Sequence, residues 1–120
     1  MQRLVFLFLL SFGHLVTDMM SGALPVLLPV LKSEFSLSYT QLGVIILVSN
    51  LISSVIQPVF GIWSDRKAIL WLLPIGCFVA ALGMAFVGLA PTYIFVLIAV
   101  ALSGIGAAAY HPEGSKQAFL

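Results

Sequence analysis

Charged residues are scarce in this sequence. Five Lys or Arg and four Asp or Glu make up 8% of 120 residues, against roughly 25% in soluble domains. That composition excludes a soluble enzyme and a disordered segment alike. The net charge is only +1, so no clustered cations are available to hold a phosphate backbone, and nucleic acid is excluded as a partner. Cysteine is nearly absent too. Cys77 stands alone in an apolar run and can close no disulfide within the chain. The histidines, His14 and His111, lie too far apart in sequence for a zinc-type ligand spacing. No nucleophile–base pair points to hydrolysis. Gly104-Ile105-Gly106 sits in an apolar stretch with no preceding strand, so it is not a nucleotide-binding fingerprint. Neither an enzymatic activity nor a bound cofactor is expected.

What fills the sequence is apolar. Hydrophobic residues make up 62% of it and the mean hydropathy is +1.19, so the natural solvent is a lipid bilayer. A charge costs about 2.5–3.5 kcal/mol at the centre of a membrane helix, so the few present mark where the chain leaves hydrocarbon. From Leu4 to Leu31 only His14 and Asp18 interrupt the apolar run, and Gln41 to Trp63 contains no charge. The charge-free run from Ala68 to Pro112 is broken near its middle by Ala90-Pro91-Thr92. A span needs ~20 residues, so the sequence predicts an all-α integral membrane helical bundle of four transmembrane helices, at about 4–31, 41–63, 69–90 and 92–117.

Arg3 and the pair Arg66-Lys67 fall on one side of this arrangement, which the positive-inside rule makes the cytoplasm. The N-terminus is then cytoplasmic, and the loop from Lys32 to Thr40 and the Pro91 turn face outward. Arg3, the run Leu4 to Phe12 and the small residues Ser21 and Ala23 also mimic a secretory signal. The apolar pattern resumes at once from Leu24 to Leu31, which suits one long helix better. Pro25 and Pro29 are expected to bend or end that helix near its outer end.

Polar groups inside spans are functional candidates by default. His14 and Asp18, four residues apart, stack on one helix face and can share a proton or a ligand, or lock two helices together by hydrogen bonding. Asn50, Ser53, Ser54 and Gln57 form a polar stripe on the second span, facing either neighbouring helices or a water-filled cavity. Gly76 with Ala80, and Gly104 with Ala108, have the small-xxx-small spacing of close helix packing. From Ser103 to Lys116 small residues run directly into His111, Pro112, Glu113 and Lys116. Pro112 either sits in a broken helix, freeing the carbonyl of Ala108 beside ionisable groups, or follows the end of the span at Tyr110.

Between the second and third spans, Gly61-Ile62-Trp63-Ser64-Asp65-Arg66-Lys67 resembles the signature loop of the major facilitator superfamily, with its Gly-x-x-x-Asp-Arg core. Ala68-Ile69 replaces the usual Gly-Arg-Arg continuation. In this loop Gly61 would allow tight helix contact, Asp65 would cap a neighbouring helix, and Arg66 and Lys67 would hold the loop inside. Together with Gly13-His14 and Asp18, Leu24-Pro25 and Pro29, Gln57-Pro58, and Tyr110-His111-Pro112-Glu113, the whole chain resembles the fosmidomycin-resistance branch of that superfamily.

The resemblance implies the first four helices of a transporter with about twelve, built in two halves around a mid-membrane site. The missing helices of the same transporter are then the chain's partners, with the bilayer, protons and a small-molecule substrate. It implies a proton-driven antiporter of the bacterial inner membrane that exports a small drug or metabolite, powered by the proton gradient. His14 and Asp18 would exchange the proton. Asn50, Gln57, His111, Glu113 and Lys116 would line the substrate path, with Lys116 and protonated histidine as counter-charges for an anionic substrate. Two other readings are a complete four-helix small multidrug exporter acting as a dimer, whose hallmark Glu in the first span is missing here, and a non-transporting membrane subunit.

Overall fold

The computed structural model describes residues 1–67 and 69–119, arranged as four helices: α1 Gln2–Phe35, α2 Tyr39–Arg66, α3 Leu72–Gly88 and α4 Tyr93–Phe119. Among the described residues α1, α2 and α4 are long and apolar enough to cross a membrane. The 17 residues of α3 lie at the lower limit of about 17 for a span.

Two of the longer helices, α1 and α2, outrun their expected boundaries at both ends and α4 outruns its own at the C-terminal end, whereas α3 is shorter than the expected 69–90. Pro25 and Pro29 lie inside α1 without ending it, and the helix continues to Phe35. In lipid no water is at hand to satisfy an unwound backbone, so a proline's missing hydrogen bond is tolerated more readily than a break. The helix stops at Ser36, which adopts the left-handed conformation (φ 52°, ψ 48°) and donates its amide to the Lys32 carbonyl. Beyond the turn, Ser38 begins α2 with a capping box. Its hydroxyl accepts from the Gln41 amide at 3.2 Å, and the Gln41 side chain accepts from the Ser38 amide at 2.8 Å. Likewise α4 continues through Pro112, so the alternative in which the span ends at Tyr110 does not hold.

The central element is α4, which packs against the other three helices, most extensively against α3 and α2. Its two halves are built differently. Toward its N-terminus Val96, Ala99 and Val100 join Leu24, Leu31, Leu37, Ile45 and Val87 in an apolar core at the Ser36 end of the bundle. Toward its C-terminus the buried residues are small or polar, including Ser103, Gly106, Ala107, Ala108, Glu113 and Gln117.

Small residues bring the antiparallel α3 and α4 into backbone contact. A Cβ on Gly106 would collide with the backbone of Ala80 and Gly76, and one on Gly83 with the backbone of Ser103. The Ser103 hydroxyl donates to the Ala80 carbonyl across this seam at 3.0 Å. The small-residue spacing in the sequence therefore marks a packing face, as expected, although Gly104 turns the other way, toward Ser49 and Ser53 of α2. The parallel pair α2 and α4 is fastened at the Ser36 end by the Tyr93 hydroxyl, which donates to the Gln41 carbonyl at 2.9 Å.

Candidate functional site

The geometry of the site begins with a glycine. Any side chain at Gly13 would strike the Tyr110 ring. Without one, the Tyr110 hydroxyl crosses to α1 and donates to the Leu10 carbonyl at 2.6 Å. This contact fixes how α4 sits on α1 and brings the next residue, His111, alongside the polar face of the first helix. The His14 and His111 rings meet edge to face, centroids 5.0 Å apart. Asp18 lies between them, its carboxylate 3.0 Å from His14 Nδ1 and 3.8 Å from His111 Nε2. Nearby, Thr17 is fully buried and donates back to the Gly13 carbonyl at 2.9 Å.

This arrangement puts one carboxylate within reach of two imidazoles from different helices. The side chains of His14 and Asp18 are 48% and 53% exposed, and that of His111 is 24% exposed. The carboxylate is placed to share a proton with either ring. The close approach of ligand-type atoms also departs from the sequence reading. The three residues offer atoms all within 4.8 Å of one another, although nothing in the spacing of the two histidines indicates a cluster.

His111 parts company with the residues grouped with it in the sequence. Glu113, two positions on, points to a different side of α4 and is completely buried. Its carboxylate accepts from the Ser64 hydroxyl of α2 and from Gln117 Nε2 at 2.6 Å. Lys116 donates to the Ser64 carbonyl. Glu113 and Lys116 thus join α4 to the last turn of α2 and do not cluster with His111. Every buried side-chain polar atom among the described residues has a partner.

The polar stripe of α2 is also divided. Asn50 and Ser53, with Ser49, line a cavity of about 180 Å³ between α1, α2 and α4, whose wall also includes Met20, Ser21, Ser103 and, from α3, Met84. Gln57 is exposed and outside that lining.

The signature residues belong largely to a helix rather than to a loop. Gly61, Asp65 and Arg66 occupy the last turns of α2, and Lys67 is its extended C-cap. A Cβ on Gly61 would lie 3.8 Å from Pro112, an ordinary contact, so this glycine faces α4 without being required by space. Asp65 is exposed and caps no helix among the described residues, and α3 starts without a side-chain cap. The member of the motif that reaches α4 is Ser64, which sequence reasoning passes over. Tyr110 was likewise visible only as part of a segment, and its partner is a backbone carbonyl that no motif encodes.

The chain is 36% identical over 114 residues to the uncharacterized MFS-type transporter YfnC of Bacillus subtilis, covering 95% of this chain and 28% of that protein. It is 41% identical over 109 residues to the fosmidomycin resistance protein of Escherichia coli, covering 91% and 27% respectively. The MFS-type transporter YwoD of B. subtilis is 31% identical over 116 residues, covering 94% and 25%. The chain therefore spans about a quarter of the length of the curated relatives it matches. No solved structure matches it. Residues 10–118 match the family pattern of the Major Facilitator Superfamily. With nearly its whole length inside that match, this helical membrane chain belongs to the Major Facilitator Superfamily, a family of transporters.

Proposed function

We propose that the chain forms the first four helices of a proton-coupled antiporter that exports a small drug or metabolite from the bacterial cytoplasm across the inner membrane. The observation that carries this reading is the meeting of His14, Asp18 and His111 within a membrane bundle. A carboxylate between two imidazoles on separate helices is suited to take up and release a proton as the helices move. Likeness to the fosmidomycin resistance protein supports a small anionic drug as one substrate. Asn50, beside the cavity between α1, α2 and α4, is the polar group placed to meet it. Glu113 and Lys116 serve the α2–α4 junction in this reading. The Arg66 end of the bundle faces the cytoplasm, as the positive-inside rule requires.

The test is drug efflux and proton release in inverted vesicles containing the full-length protein, with fosmidomycin as the probe. Asp18→Asn is expected to abolish proton-driven efflux while the protein still inserts at wild-type levels. Efflux that persists unchanged in this variant would overturn the assignment.

A further inference from the structure

Three side chains from opposite ends of the sequence place their donor atoms around one small volume. His14 and Asp18 come from consecutive turns of α1, and His111 comes from α4. His14 Nδ1 lies 3.0 Å from one carboxylate oxygen of Asp18, His111 Nε2 lies 3.8 Å from the other, and the ligand atoms all fall within 4.8 Å of one another. In a tetrahedral site with bonds of about 2.0 Å, neighbouring ligand atoms sit about 3.3 Å apart. The His14–Asp18 and Asp18–His111 separations bracket that spacing, and side-chain rotation would be needed to close all three ligands on one ion.

The donor set also selects a class of cation. Two imidazoles with one carboxylate suit zinc, cobalt(II) and nickel(II), whereas magnesium and calcium call for oxygen ligands throughout. The backbone of the site is already fixed: Tyr110 is anchored to the Leu10 carbonyl, and Gly13 leaves room for its ring. His14 and Asp18 are half exposed, so α1 and α4 leave the fourth position open.

We propose that His14, Asp18 and His111 form a binding site for a zinc-class divalent cation that bridges α1 and α4. The site stands on these ligands alone and does not depend on the transport reading. Cation and proton compete for the same atoms, and an ion held by both helices joins them for as long as it stays bound.

The experiment is cobalt(II) titration of the full-length protein, purified without a histidine tag, followed by zinc displacement. One cobalt(II) per chain is expected, with the intense visible absorption of a tetrahedral site that zinc abolishes. His14→Gln and His111→Gln should each weaken binding about tenfold or more, whereas Cys77→Ser should not change it. Affinity unaltered in both histidine variants, or no stoichiometric uptake by the wild type, overturns the proposal. Proton NMR of the cobalt-loaded wild type provides a readout that needs no variant to fold. Two hyperfine-shifted exchangeable imidazole N–H signals are expected, and one or none overturns the site.

Discussion

A fully buried carboxylate in a membrane bundle is stable only if its hydrogen bonds are complete, and Glu113 meets that condition with Ser64 and Gln117. Glu113→Ala removes the acceptor, leaves both donors buried and opens a void. We expect a loss of about 1–3 kcal/mol in stability, read as a lower thermal midpoint in detergent. Glu113→Gln should lose less, because its carbonyl oxygen still accepts from Ser64. Legibility at this scale depends on sequence separation. His14 and Asp18 are four residues apart on one helix, so periodicity alone places them together. His111 reaches them only because Tyr110 seats α4 on Gly13, a contact between two helices at opposite ends of the chain. The same geometry takes His111 away from Glu113, since residues two apart on a helix face different neighbours.

Helices are where the sequence was most readable, and their ends least so. Long uncharged runs located the four elements, and the Gly76–Ala80 spacing marked the α3–α4 seam, while Gly104 proved to face α2. Proline was a mixed signal: Pro91 correctly marks the turn between α3 and α4, whereas Pro25, Pro29 and Pro112 all lie within helices that continue past them. The seam itself makes a sharp prediction. Gly106→Leu and Gly83→Leu should separate α3 from α4 at a cost of about 3 kcal/mol or more, because the obstructing atoms are backbone and cannot rotate away. Gly22→Ala, where a Cβ would meet nothing within 4 Å, should have no such effect. Thermal exposure of the Cys77 thiol, half-buried on α3, reports both outcomes.

For the molecule as a whole, orientation follows from very few charges, with Arg3, Arg66 and Lys67 at one end and the Ser36 turn at the other. In a Cys77→Ser background, Ser36→Cys should react with an impermeant maleimide added outside intact cells, and Lys67→Cys should react only in inverted vesicles. The reverse pattern would place the N-terminus outside. The bundle holds α2 to α4 at both ends by hydrogen bonds, through Tyr93 with Gln41 and through Ser64 with Glu113 and Lys116, whereas α1 meets α4 through Tyr110 and the histidine pair at one end and through the apolar core of Leu24 and Leu31 at the other.

The shortness of α3 has a consequence for the surrounding lipid. Seventeen residues rise about 25 Å, while the hydrocarbon of an ordinary bilayer is about 30 Å thick. Trp71, Ile75 and Phe78 are exposed along one side of this region, and where that side meets lipid the bilayer is expected to thin toward the helix ends. Reconstituted into phosphatidylcholine of increasing chain length, the protein should lose thermal stability earlier than a transporter whose spans are all of full length. A bilayer thinned beside α3 would make membrane thickness a variable to which the bundle responds.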